Sequence, residues 1–265
     1  MTETDSEPAH VEVRGVSLAF GRRRVFDELS CGFARGRISV LMGGSGTGKS
    51  TLLRMVGGLQ APDAGSIRVA GQEIVGLGEA GQRQARARLG MLFQNGALLD
   101  SMSVFDNVAL PLREHSQLAS AEIAERVHDR LAAVGLADID DLLPGELSGG
   151  MLRRAALARA IVMEPEILLC DEPFSGLDPP NVSRIEALLT HLNRDHGLTL
   201  VVTSHHMATS LRLAHRIFLL RGNACVEGAP AELASSRDSA IREFLGKDGD
   251  EYLAHHQPEF EAEDS

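Results

Sequence analysis

Cysteine is scarce in this sequence, with three residues in 265: Cys31, Cys170 and Cys225. They stand far apart and lack the paired spacing of a thiolate metal site, so idle thiols of a reducing compartment are expected. Long apolar runs are missing as well. The stretches "ISVLM" (38–42) and "LTLVV" (198–202) break within a few residues, far short of the ~20 needed to cross a bilayer. The opening "MTETDSEPAH" has neither the basic nor the apolar region of a secretory signal, which points to a cytoplasmic protein.

A basic face is also lacking. The formal charge is −11. Residues 1–10 hold three carboxylates and residues 248–265 hold seven, with no Lys or Arg in either. The body between them is therefore nearly neutral. The ends are expected to solvate themselves as flexible acidic segments, and nucleic acid is not an expected partner. The short "GRRR" (21–24) and "LRR" (152–154) read as solvated edges.

What is present is ordinary globular material, 43% hydrophobic and 24% charged, in a length that suits one large α/β domain or a core with an inserted subdomain. Residues 11–20 and 25–42 carry short alternating or apolar runs, as in an antiparallel β layer. "ISVLM" then runs into a glycine loop and the helix "KSTLLRMVG", a strand–loop–helix unit of a parallel sheet. From about Gln94 to Met163 the chain reads as helical, with "ASAEIAERVHDRLAAVGL" clearly amphipathic. Parallel-sheet character returns with "EILLCDE", "LTLVVTSHH" and "RIFLLRG". The expected organisation is an acidic N-terminus (1–10), a core domain (11–245) with a helical insert (about 94–163), and an acidic tail (246–265).

"GGSGTGKS" (43–50) matches G-x-x-x-x-G-K-[ST] between an apolar strand and a helix. In that setting backbone N–H groups wrap phosphates, Lys49 reaches the outer phosphate oxygens and the Ser50 hydroxyl holds Mg²⁺. Gly43, Gly44, Ser45, Gly46, Thr47, Gly48, Lys49, Ser50 and Thr51 are thus candidate ATP-binding residues. "ILLCDE" ends a strand in two acids. Asp171 is placed to bind Mg²⁺ and Glu172 to take a proton from an attacking water. His205 follows the strand "LTLVVTS" at the sheet edge where ligands of such sheets bind, although His206 stands beside it. Gln94 ends the apolar run "LGMLF" at the junction of core and insert. Phe20 ends the first β run, where it either stacks on a purine ring or packs in the core. One motif has no obvious place: "ELSGGM" (146–151) puts a second glycine turn before the helix "LRRAALARAIVM", a second anion-binding helix start without a lysine.

In this order these residues resemble the ATP-binding-cassette (ABC) ATPases, over about residues 11–245. The matching features are a P-loop at 43–50, a Q-loop at Gln94, a signature "LSGGM" at 147–151, a Walker B strand at 167–171, the base Glu172, a D-loop "SGLD" at 175–178 and the switch His205. The signature ends in Met151 where Gln is commoner, and His206 follows where an acid is usual. The resemblance implies a P-loop NTPase fold of the ABC type, with ATP and Mg²⁺ as cofactors and Ser50, Gln94 and Asp171 around the metal. It also implies a head-to-tail homodimer in which Ser148, Gly149 and Gly150 of one protomer cap the ATP on the other's P-loop. That gives the second glycine turn its use, and no lysine is needed there because the opposite P-loop supplies it.

A finer resemblance lies in "LFQNGALLDSMSVFDNVALPLREH" (92–115) with "LSGGMLRRAALARAI", which are similar to the ATPase subunits of Mla-type phospholipid transporters. This implies a motor on the cytoplasmic side of the inner membrane, peripherally bound and moving phospholipid between inner and outer membranes to maintain lipid asymmetry. Its partners would be an MlaE-like permease, a STAS-domain (MlaB-like) protein and an MCE-domain (MlaD-like) protein. Leu99 and Phe105, in an apolar stretch after the Q-loop, are candidates for the permease contact. Another single-cassette transporter and a cell-division-type regulator remain open alternatives.

Overall fold

The apolar runs become strands of a parallel sheet whose two faces are both covered, which is why they do not alternate with polar residues. The computed structural model describes residues 9–221 and 224–255. The main sheet has the strand order β10–β9–β3–β8–β7–β6. Its strands are β3 (Ile38–Gly43), β6 (Leu89–Leu92), β7 (Ile167–Asp171), β8 (Thr199–Thr203), β9 (Arg216–Arg221) and β10 (Ala224–Gly228). All neighbours run parallel except β9 and β10, an antiparallel edge. The second sheet is antiparallel, in the order β2–β1–β4–β5, from β1 (Ala9–Phe20), β2 (Arg23–Ala34), β4 (Ala64–Val69) and β5 (Gln72–Glu73).

Alternate side chains of the parallel strands enter two separate cores, as the period of two in a strand requires. Leu168, Cys170, Leu200, Val202, Ile217 and Leu219 face one core. Ile167, Leu169, Val201, Phe218 and Leu220 face the other, which the antiparallel layer and α1 (Lys49–Val56) close. Phe33 of the layer meets Phe218 edge-on, with 4.9 Å between ring centroids. Cys170, wholly buried, has its thiol pushed well above the ordinary range by desolvation. Cys31 of β2 and Cys225 of β10 are close enough across the two layers for each thiol to shift the other, Cys31 upward and Cys225 downward.

Between β6 and β7 stand α3 (Val104–His115), α4 (Ser120–Ala133) and α5 (Gly149–Ile161). Helix α4 buries Ile123, Val127 and Leu131, one residue per turn. The loop before α3 is fixed by buried Asn107, whose side chain accepts from Leu99 N and donates to the carbonyls of Leu99, Met102 and Ser103. The remaining helices are α2 (Glu79–Arg86), α6 (Pro179–His196), α7 (Met207–Leu213), α8 (Pro230–Ala234) and α9 (Ser239–His255).

At the inner edges of the two acidic ends the described residues form regular structure. Residues 1–8 and 256–265 lie outside the described residues, but the acidic tail expected from 246 begins as helix. Helix α9 runs on to His255 across a non-helical step at Gly246 (φ 51°, ψ −141°). It buries Ile241, Leu245 and Gly249, with Phe244 and Tyr252 against the core. The cause is apolar spacing within the acids, which outweighs their charge.

At the other end Ala9 and His10 belong to β1. His10 Nδ1 is 2.7 Å from Thr199 Oγ1 and its Nε2 is 3.3 Å from Glu166 Oε2. Burial holds His10 below its ordinary pKa, against the pull of Glu166, with Arg35 and Arg88 also near. The folded state therefore disfavours the protonated ring, while the unfolded chain binds a proton below about pH 6.5. Stability should fall as pH drops through that value. Thermal unfolding compared at pH 7.5 and 5.5 should show a smaller loss in His10→Gln than in the parent.

Candidate active site

The glycines of the loop between β3 and α1 are dictated by space. Gly43 has φ 150°, and a Cβ there would lie 2.7 Å from the Leu220 carbonyl oxygen. Gly48, the residue before α1, has φ 96°, and a Cβ would lie 2.5 Å from Phe26 Cζ. Neither position admits a side chain. The backbone can thus wrap closely around an anion at the amino end of α1, where unpaired N–H groups and the helix dipole favour negative charge. Lys49 Nζ donates to the carbonyls of Gly43 (2.9 Å) and Gly44 (3.2 Å), so its ammonium is held over the loop.

Next to this loop the ends of β7 and β8 form one hydrogen-bonded unit. Ser50 Oγ donates to Asp171 Oδ1 at 2.8 Å, and Thr203 Oγ1 donates to the same oxygen at 2.7 Å. Glu172 adopts φ 49°, the left-handed region that few side chains enter. That turn brings its Oε2 to 2.6 Å from His205 Nδ1. His206 sits differently. Its ring lies edge-on to Phe174, with 6.2 Å between centroids, and burial followed by the neighbouring His205 lowers its pKa.

A cleft of about 530 Å³ opens over these groups. Its walls include Gly43, Ser45, Gly46, Gly48, Lys49, Ser50 and Thr51 from the loop and helix, with Gln94, Glu172 and His205. The far wall comes from the β1–β2 hairpin: Phe20, Arg23 and Val25. Phe20 is 54% exposed, at the cleft rim rather than in the core. Gly44 and Thr47 belong to the same loop, with Thr47 Oγ1 donating to the Gly44 carbonyl at 3.0 Å. A larger open hollow of about 620 Å³ lies along α6, lined by Glu186, His191, Arg194 and Arg212 among others. It has no glycine loop and no carboxylate pair.

Gly44, Thr47 and Asp171 adjoin the cleft without lining it, and the three predicted signature residues are not in it. Among the described residues its walls include none of Ser148, Gly149 and Gly150. Ser148 caps α5, accepting from Met151 N at 3.3 Å, and with Gly149 it is exposed. Gly150 is buried, and a Cβ there would lie 2.3 Å from Asn181 Oδ1. A second anion-binding helix start thus stands open on the surface, away from the loop it resembles.

Sequence reading passed over four residues that the structure ties to the site. Arg23, read as part of a solvated edge, donates from Nη2 to the Gly46 carbonyl at 2.9 Å. Its position just after the Phe20 turn was the available signal. Val25 stands beside it in the cleft wall. Arg153, read the same way, is buried on α5 and donates to the carbonyls of Phe93 (3.0 Å) and Ser175 (3.2 Å). It joins the signature helix to the strand end before Gln94 and to the loop after Glu172. Thr203 gave one signal, a hydroxyl closing the apolar run "LTLVV".

A glycine loop at a helix start beside two carboxylates and a histidine, with a second glycine turn exposed at the start of α5, is the arrangement of an ATP-binding cassette ATPase. The family profile described as ABC transporter matches residues 26–175, and the chain belongs to that family. It is 44% identical over 236 residues to the intermembrane phospholipid transport system ATP-binding protein MlaF of Escherichia coli K12, covering 89% of this chain and 88% of that protein. It is 39% identical, over 89% of this chain and 66% of the other, to the probable ribonucleotide transport ATP-binding protein mkl of Mycobacterium tuberculosis H37Rv. Among solved structures, the dimeric post-hydrolysis state of the ATP-binding cassette MJ0796 bound to ADP and Pi superposes with a TM-score of 0.77. That alignment has 28% identity and covers 83% of this chain and 98% of the other. The chain is therefore an ATP-binding, ATP-hydrolysing cassette.

Proposed function

We propose that this chain is the ATP-hydrolysing subunit of a transporter that moves phospholipid between the inner and outer membranes and so maintains lipid asymmetry. The observation that carries the reading is the match to MlaF along nearly the whole chain, beyond the nucleotide motifs common to all cassettes. The subunit acts as a homodimer on the cytoplasmic face of the inner membrane, with an MlaE-like permease and MlaB-like and MlaD-like partners. Among the described residues no helix is long and apolar enough to cross a membrane.

The chemistry follows from the residues. The loop amides and the Lys49 ammonium bind the phosphates and offset their charge. Ser50 and Asp171 supply hard oxygen donors of the kind Mg²⁺ takes, with Gln94 at the cleft edge as a further oxygen. Bound there, Mg²⁺ would neutralise charge on the phosphates. Glu172 takes the proton of the attacking water, and its contact with His205 orients the carboxylate. Phe20 offers a ring face to the base, while Ser148, Gly149 and Gly150 serve the partner's nucleotide.

Leu99 is 44% exposed and Leu143 likewise 44%. Both flank the start of α3, where Val104 N donates to the Leu142 carbonyl at 2.8 Å. We take these two leucines as the permease-facing surface. Phe105, by contrast, packs into the subdomain, with 5.7 Å between its ring centroid and that of His128. Leu99→Glu should therefore leave the ATPase rate of the isolated protein within about twofold, since surface changes cost little, and abolish stimulation by the permease. Cells carrying it should lose outer-membrane lipid asymmetry and become detergent-sensitive. Loss of ribonucleotide uptake with an intact envelope would favour the cargo named for mkl instead.

A further inference from the structure

We propose that Thr203 is a positioning residue for ATP hydrolysis, its hydroxyl setting Asp171 and Glu172 in their working geometry. The proposal rests on the roles given above to those two acids.

Thr203 is the last residue of β8, and in the sheet register it stands directly beside Asp171, the last residue of β7. Its side chain has no exposed surface. The strand it ends is otherwise an apolar run in which valine, of the same shape, would pack as well. A hydroxyl buried in such a place is costly unless it is hydrogen-bonded, and this one is bonded on both sides. It donates its only proton to Asp171 Oδ1 at 2.7 Å and accepts from the backbone N–H of Glu172 at 2.9 Å. The Glu172 N–H is also 3.2 Å from the Thr203 carbonyl oxygen.

Two consequences follow. Asp171 Oδ1 receives two hydroxyl protons, from Thr203 and from Ser50 at 2.8 Å, so the carboxylate is held against rotation. Glu172 is fixed at the residue where the backbone takes its disfavoured turn (φ 49°), and that turn delivers its carboxylate to His205. One side chain thus joins the proposed metal ligand to the proposed base, through a carboxylate oxygen of Asp171 and the backbone N–H of Glu172.

The test uses the full chain with Thr203→Val, which keeps the shape and removes the hydroxyl, and Thr203→Ser, which keeps the hydroxyl. Asp171→Asn and Glu172→Gln serve as reference variants. Three quantities are read: thermal midpoint, binding of a fluorescent ATP analogue in EDTA and across a Mg²⁺ titration, and kcat with KM for ATP. Losing a hydrogen bond to a charged group corresponds to about tenfold. Thr203→Val should therefore bind the analogue normally in EDTA, need about tenfold more Mg²⁺ for half-maximal tightening, and lose about tenfold in kcat at nearly unchanged KM. Thr203→Ser should restore both.

A Thr203→Val protein with a lowered midpoint but the parent's Mg²⁺ requirement and kcat would reduce Thr203 to a packing role. So would a Thr203→Ser protein as impaired as the valine variant. If valine prevents folding, Thr203→Ala repeats the measurement, and failure of both to fold also overturns the proposal. Reference variants with the parent's Mg²⁺ requirement and kcat would instead refute the roles of Asp171 and Glu172 themselves.

Discussion

Glu172→Gln should bind ATP as tightly as the parent protein and hydrolyse it about 10²–10⁴-fold more slowly, the range a positioned general base contributes. The substitution preserves shape and removes only the proton acceptor. Its amide still reaches His205, now through a neutral hydrogen bond in place of the 2.6 Å contact with a carboxylate. Lys49, Ser50 and Asp171 are untouched, so the phosphates remain bound and the protein should accumulate with ATP intact, as a stable closed dimer. Size-exclusion chromatography with ATP, followed by identification of the bound nucleotide, separates the outcomes. Turnover at the parent rate would remove Glu172 from the reaction and leave the adjacent histidines as the groups to test. Lys49→Ala should fail differently, through weak nucleotide binding, because it deletes the charge held over the loop.

The second large effect concerns the glycine turn that lies outside the cleft. If Ser148 and Gly149, exposed at the start of α5, cap the nucleotide of a partner, defects in the two motifs should combine by geometry rather than by number. In a covalently linked dimer, Ser148→Arg in one half and Lys49→Ala in the other place both defects in one composite site and leave the second intact. With both substitutions in the same half, each site carries one defect. The first arrangement should retain one occluded ATP per linked dimer in the Glu172→Gln background, and the second none. Capping within a protomer would reverse that order. Equal occlusion in the two arrangements would dismiss the signature turn as a nucleotide contact.

The candidate site residues were legible where the proposed chemistry is local in the chain. A glycine loop ending in Lys–Ser, or two acids closing an apolar strand, is a contiguous pattern because one backbone segment has to deliver all its groups. Contacts built by the sheet register were not legible. Thr203 meets Asp171 only because β7 and β8 are neighbours, and Arg23 reaches Gly46 only because the antiparallel layer folds over the loop. In the sequence each is a single polar residue with many ordinary uses. Arg153 misled for a related reason: a basic pair inside a helix reads as solvated, yet small neighbours such as Ala155 and Ala156 let α5 sink into the core and carry the guanidinium with it. The C-terminal helix was hidden by composition, since acids dominate the average while Leu245 and Tyr252 decide the packing.

The left-handed backbone at Glu172 has an evolutionary consequence. A residue there with a full side chain costs about 1 kcal/mol or more relative to glycine, and under the proposed role of Glu172 the return on that cost is hydrolysis. Selection for heat resistance alone should accept glycine or asparagine at 172 and yield a hardier protein that holds ATP without spending it. Natural variants that have lost turnover but kept the fold should have changed there early. In this cassette the residue proposed to drive the engine is also one of the places where the backbone is least at rest.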